Sequence, residues 1–246
     1  MTFGYDSKIR HFSQGQISKN TVRHHARELL EQLRDKRPSD AKGSRPLAFI
    51  AHSLGGLVVR EALTLASQHQ DDQISTSRYK DIFRSTVAIM FCGTPHRGAD
   101  PRSSFHRLFS AFAMRLGIDV NPFILDTLIP NVNNIQKQLN LDGFKSLAAE
   151  RGWIVHTFQE EYGVLGFFSK KVVEDHSSRL GLPVREIFGR ISDNHMDMCR
   201  FYGLSDPEYE KVASCLLEIL KEPLSSHSFQ ASLSLHNTTQ KRLNTF

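Results

Sequence analysis

Cysteine is scarce in this chain, and its three copies, Cys92, Cys199 and Cys215, show no CxxC or Cys-His spacing. That excludes a disulfide framework and a structural zinc site, and it fits a reducing compartment. No run approaches the roughly 18 consecutive apolar residues of a membrane span. Met1 leads into Thr-Phe-Gly-Tyr-Asp without a basic start or an apolar run, so neither a transmembrane helix nor a secretory leader is expected. Neither sign of charge dominates: 31 Lys and Arg stand against 26 Asp and Glu, a formal +5, with the basic residues scattered. Nucleic acid needs a clustered basic face, so no nucleic-acid partner is expected. There is no Gly-x-x-x-x-Gly-Lys phosphate loop and no internal repeat, and no cofactor or metal is expected.

What is present suffices for one globular domain. Of 246 residues, 39% are hydrophobic and 23% charged, enough to build a single large core. Met1–Ser7 reads as the end of a strand. Val22, Ala26, Leu29, Leu30 and Leu33 recur at helical spacing within 18–37. Pro46–Ala51 is an apolar run of strand length, and Leu54–Gln70 is helical. Thr86–Cys92 is a second buried strand, closed by the loop Gly93–Gly98. Phe105, Leu108, Phe109, Phe112 and Leu116 form an apolar helical stripe, with shorter patterns at Ile124–Leu128 and Ile135–Leu147. Trp153–Phe158 and Lys171–Val173 read as further strands. Ser205 and Glu208 read as a capping box ahead of a last helix faced by Tyr209, Val212, Leu216, Ile219 and Leu220. All-apolar strands separated by helices imply an α/β fold, a mainly parallel sheet with helices on both faces. The domain is expected over 1–222, with a Ser/Thr/Asn/Gln-rich disordered tail over 223–246.

The chemistry concentrates at Ala51-His-Ser-Leu-Gly-Gly56, between strand and helix. A serine on that sharp turn needs small residues two before and two after it, and Ala51 and Gly55 supply them. This marks Ser53 as a nucleophile, although a small-residue turn that merely packs helix on strand has the same composition. Serine needs a base, and the base needs an acid. Of twelve histidines, chain order Ser, acid, His leaves His176 and His195. His195 lies in a polar loop before the last helix and is preferred. Glu160 and Glu161 follow the strand Trp153–Phe158; Glu160 is preferred as the acid, with Glu161, Asp175 and Asp193 in reserve. The amide of Leu54 is the expected oxyanion donor.

Phe49–Val59, Gly93-Thr-Pro-His-Arg-Gly-Ala-Asp100, Phe158-Gln-Glu160 and Asp193–Phe201, taken together, resemble successive signatures of one family. That family is the serine-esterase, lipase-like α/β-hydrolases, which include the serine-active-site-containing proteins and hydrolase domains that fungi fuse ahead of NACHT or NB-ARC domains. The likeness runs from Met1 to about residue 220. It implies an α/β-hydrolase fold with Ser53 as nucleophile, His195 as base and Glu160 as acid, and Thr94, Pro95 and His96 on the pocket wall. It also implies a helical cap over about 101–152 and a lipid or acyl-ester substrate. A cytoplasmic setting, or one on endoplasmic-reticulum or mitochondrial membrane surfaces, follows from the same likeness. Family members begin with a strand ending in His-Gly that gives the oxyanion hole a second donor, whereas this chain starts at a later point. The resemblance therefore implies an N-terminally incomplete sheet. Two readings result: a serine esterase acting through an acyl-enzyme, or a weakly active interaction module associated with a signalling or immune-type NTPase.

Overall fold

The computed structural model describes residues 1–3, 22–37, 45–68, 74–96, 141–163, 171–173, 175–181 and 186–221. In chain order the elements are α1 (Val22–Lys36), β1 (Leu47–His52), α2 (Gly55–Gln68), α3 (Ile74–Ser85), β2 (Thr86–Cys92), α4 (Leu141–Arg151), β3 (Ile154–Tyr162), α5 (Asp175–Ser178), β4 (Glu186–Asn194) and α6 (Pro207–Lys221). Among the described residues the strands form one four-stranded sheet in the order β1-β2-β3-β4, parallel at every pairing. Strand followed by helix followed by parallel neighbour is the topology of a parallel α/β sheet, with every strand pointing its C-terminal end to the same edge.

Period-two alternation sorts the strand side chains onto two faces. Phe49 and Ala51, Ile89 and Phe91, and Val155 join one core with Ala26, Leu29, Leu30 and Leu33 of α1, Leu63 of α2, and Phe144 and Ala148 of α4. Ala88, Met90 and Cys92 with Phe158 and Ile191 face the other way, onto Val212 and Ile219 of α6. The two-faced cover explains why β2 reads as one unbroken apolar run: six of its seven residues are buried. Each fully buried Leu, Ile or Phe here contributes roughly 1.5–3 kcal/mol through apolar area removed from water.

Several elements depart from the sequence reading. Lys171–Val173 is a bend rather than a strand; the next strand is β4, which ends the sheet among the described residues, and its half-exposed Ile187 and Phe188 break the alternation that sequence patterning depends on. Helix α3 carried too weak a pattern to be anticipated. Strand β3 runs on to Tyr162 because pairing with β4 continues through Glu160↔Ile191 and, past a register shift, Tyr162↔Asn194. Glu160 thus lies inside the strand, not two residues beyond it. Of the expected strand end Met1–Ser7, residues 1–3 have no regular structure and 4–7 lie outside the described residues. The stripe Phe105–Leu116, the pattern Ile124–Leu128, most of the expected cap and the tail 223–246 lie outside the described residues. The described part of the expected cap, α4, packs into the sheet core through Phe144 and Ala148.

The last helix is capped differently from the capping-box reading. Asp206, not Ser205, precedes the helix, and its Oδ1 accepts the Glu208 and Tyr209 N–H groups at 2.9 and 3.4 Å. Pro207 occupies the first helical position, where its missing N–H and fixed φ cost nothing. Hydrogen bonding to Tyr202, Glu208 and Tyr209 holds the Asp206 carboxyl below its ordinary pKa. Asp206→Ala is expected to lower the melting temperature by roughly 2–4 °C, and Asp206→Asn, which keeps the acceptor, by much less. Thermal melts of the two variants check this.

Candidate active site

Ser53 follows β1 at the sheet's C-terminal edge with φ 54°, and among the described residues it is the one non-glycine with positive φ. L-residues avoid this conformation because Cβ crowds the backbone, and it persists where surrounding bonds over-determine it. Those bonds are present: Ser53 N–H donates to the Cys92 carbonyl at 2.9 Å, and the Ser53 carbonyl accepts the Gly56 N–H at 3.1 Å. The small-residue requirement falls differently from the motif reading. A Cβ on Gly55 would meet open space, whereas one on Gly56 would lie 2.2 Å from Thr94 Oγ1 and 2.8 Å from its Cβ. Helix α2 and the loop after β2 therefore make their close approach at Gly56.

His195 opens the turn after β4 and is 1% exposed. Asn194 organises that turn: its Oδ1 accepts the Met196 N–H at 2.9 Å, and its amide donates to Asp193 and Asp197. His195 Nε2 lies 3.0 Å from Ser53 Oγ. On the far side of the ring, Nδ1 faces Glu160 Oε2 at 3.5 Å, with both side chains almost fully buried. The other Glu160 oxygen accepts the Val173 N–H at 2.6 Å, fixing the carboxylate's rotation. With the imidazole proton on Nδ1, toward Glu160, the Nε2 lone pair accepts the serine hydroxyl. The structure thus brings Ser53, His195 and Glu160 together from three strands.

The reserve residues are engaged elsewhere. Glu161, next along β3, points to the opposite face and accepts the Ser192 hydroxyl at 2.8 Å. Asp175 pairs with Lys171 at 2.7 Å and Arg190 at 3.2 Å. Asp193 accepts the Asn194 N–H at 2.7 Å, and His176 is exposed on α5. Thr94 and His96 are buried, Thr94 against Gly56 and His96 edge-on to the Phe91 ring at 4.4 Å. Among the described residues no group of three His, Cys, Asp or Glu is gathered as a metal site, and no helix is long and apolar enough to cross a membrane.

Two features were missed in the sequence. Leu54 and Met196, neighbours of Ser53 and His195, pack on the buried pair Val172 and Val173, so one apolar cluster joins the Ser53 turn, the His195 turn and the segment that holds Glu160. Gly93, at φ +57°, lies so close to His195 that an added Cβ would sit 2.9 Å from its ring. The apolar pair Val172-Val173 in a polar stretch was the available signal, and it resembled a short strand.

Burial lowers the pKa of His52, just before Ser53, to about 4, with the nearby His195 adding to the effect; burial lowers that of His156 too. A histidine whose folded pKa lies below its unfolded value of about 6.5 binds its proton more weakly when folded. Its stability contribution is intact above that value and is lost as pH falls toward 4. For His52 this amounts to about 2–3 kcal/mol across the window. Melting temperature is expected to fall steeply between pH 6.5 and 4, and His52→Gln to flatten that slope.

Residues 7–116 match the family described as "Putative serine esterase (DUF676)". Protein SERAC1 of Danio rerio is 26% identical over 180 residues, covering 71% of this chain and 23% of that protein. Protein SERAC1 of Homo sapiens is 24% identical over 210 residues, covering 85% of this chain and 29% of that protein. The chain thus spans about a quarter of the length of the curated relatives it matches. A solved structure described as a putative non-heme bromoperoxidase BpoC, from Mycobacterium tuberculosis, aligns with a TM-score of 0.42 at 15% identity, over 84% of this chain and 74% of that one. The strained serine turn at the C-terminal edge of the parallel sheet lies within the matched segment, so over residues 7–116 the chain is similar to the serine-esterase family.

Proposed function

We propose that this chain is a serine hydrolase that cleaves carboxylic esters through an acyl-enzyme on Ser53. The observation that carries the reading is the 3.0 Å approach of Ser53 Oγ to His195 Nε2 at a strained turn, backed by Glu160 on the other ring nitrogen. In the reaction the Ser53 oxygen attacks the ester carbonyl while Nε2 takes its proton. The imidazolium so formed is stabilised by the Glu160 carboxylate. The leaving alcohol departs with the proton from Nε2, and water, activated by the same nitrogen, then releases the acid and restores Ser53. The N–H of Leu54, just beyond the nucleophile, is the first donor to the oxyanion.

An acyl or lipid ester is the substrate class in this proposal, supported by the resemblance of the site motifs to lipase-like hydrolases. We place the whole of 1–222 in one hydrolase domain. A second reading, a weakly active module serving an NTPase or a membrane surface, draws on the 3.5 Å separation of Nδ1 and Oε2, longer than a formed hydrogen bond. Fluorophosphonate labelling of the purified chain separates the two. Covalent modification at Ser53, together with p-nitrophenyl ester turnover, is the expected result. An unlabelled Ser53 in a cooperatively melting protein would sink the hydrolase reading.

A further inference from the structure

Strands β1 and β4 lie at opposite ends of the four-stranded order, so no ladder hydrogen bond sets the distance between Ser53 after β1 and His195 after β4. Two intervening strands put these strand ends roughly 14 Å apart at ordinary spacing, and small changes of twist at each pairing accumulate across that span. A proton transfer over 3.0 Å needs a direct brace. The structure supplies one in a residue that the reaction itself does not use. His52 Nε2 lies 2.8 Å from the backbone carbonyl of His195, across 143 positions of sequence. The two imidazole rings sit 5.0 Å apart, tilted by 38°.

We propose that His52 is a positioning residue of the Ser53 centre, whose Nε2–H, donated to the His195 carbonyl, braces the base-bearing turn directly against the nucleophile turn. The role rests on the hydrolase reading above. A carbonyl only accepts, so the bond requires the proton on Nε2 and fixes the His52 tautomer. It grips the main chain of the same residue that supplies the base, one bond from its Cα, so the pivot of the catalytic ring is held rather than some remote point on the loop. His52 is itself held at the last position of β1, paired with Cys92. The brace therefore runs from the sheet to the base without an intervening flexible side chain.

The neutrality of His52 belongs to the same design. His195 must become cationic during acyl transfer, and a second cation 5.0 Å away would oppose that. Burial keeps His52 uncharged at neutral pH, and His195 is the titratable group whose charge acts on it. A lysine or a solvated histidine at this position would brace the turn at the expense of the base.

The test uses the full chain, its His52→Leu variant, which removes the donor at similar volume, and His52→Gln, whose side-chain N–H reaches about as far as Nε2. Labelling rate, kcat and KM on a p-nitrophenyl ester and melting temperature are measured for each. His52→Leu should lose roughly 10–100-fold in kcat with KM little changed, the signature of a displaced base rather than of lost substrate binding. His52→Gln should recover most of that loss. Nitrogen NMR of the ring should show His52 neutral and Nε2-protonated at pH 5.5. Parent-like kcat in His52→Leu would overturn the proposal, as would failure of glutamine to recover the rate in a protein that melts like the parent. A His52 ring with its proton on Nδ1 alone would overturn it independently of activity, even if the leucine variant fails to fold. An unlabelled, inactive parent would instead overturn the hydrolase reading and the catalytic role of the brace with it.

Discussion

Replacing Ser53 with alanine is expected to abolish fluorophosphonate labelling and to lower ester turnover on the order of 10⁴–10⁶-fold, because it removes the hydroxyl held against His195 Nε2. His195→Ala should lose nearly as much. Nucleophile and base act as one unit, so the double variant should be scarcely worse than either single one. Near-additive losses would instead mean that the two side chains work independently. Glu160→Gln should lose less, since the carboxylate orients and stabilises the imidazolium without touching substrate. A stability measurement completes the set. At φ 54° Ser53 sits where a Cβ is unfavourable, by roughly 1–2 kcal/mol per residue. Ser53→Gly should therefore melt above Ser53→Ala while being equally inactive. Equal melting of the two would show that the turn stores no strain.

Gly93→Ala should cost roughly 10–100-fold in kcat, an effect out of proportion to one methyl group. The added Cβ would meet His195 Cε1 and Nδ1 at 2.9 Å and Met198 Sδ at 3.0 Å, and the backbone at φ +57° disfavours any side chain. The backbone of Gly93 cannot retreat, because its N–H donates to the Phe158 carbonyl at 2.9 Å and extends the sheet ladder. The base ring is what moves. The expected pattern is a fall in kcat with KM nearly unchanged, accompanied by a modest drop in melting temperature. A large stability loss with kcat unchanged in the folded fraction would show that the sheet, not the ring, absorbs the clash.

Much of the fold was legible from side-chain pattern alone. Ala26, Leu29, Leu30 and Leu33 announce α1 because one face of a helix repeats every 3.6 residues, and β2 announces itself because burial on both faces leaves no polar positions. The serine turn was legible for a similar reason, since strand, small residues and helix are all local features. Where burial is one-sided or incomplete the pattern weakens. Strand β4 and the helix α3 were missed on that ground, and the Val172-Val173 pair was misread because apolar residues that clamp a loop resemble a two-residue strand.

Chain order and residue chemistry by themselves selected Ser53, Glu160 and His195 as the candidate set, and they determined the α/β class. They did not determine which of two adjacent glutamates turns inward; the register of β3 against β4 decided that, because alternation sends Glu160 and Glu161 to opposite faces and pairing with Ile191 fixes the phase. Nor did they determine that Gly56 rather than Gly55 is the tight position, that Asp206 caps α6, or that His52 reaches the carbonyl of His195. Each of these depends on a distance between segments far apart in sequence or on a backbone angle. Such quantities are set only when the sheet closes its register and the helices settle on its two faces.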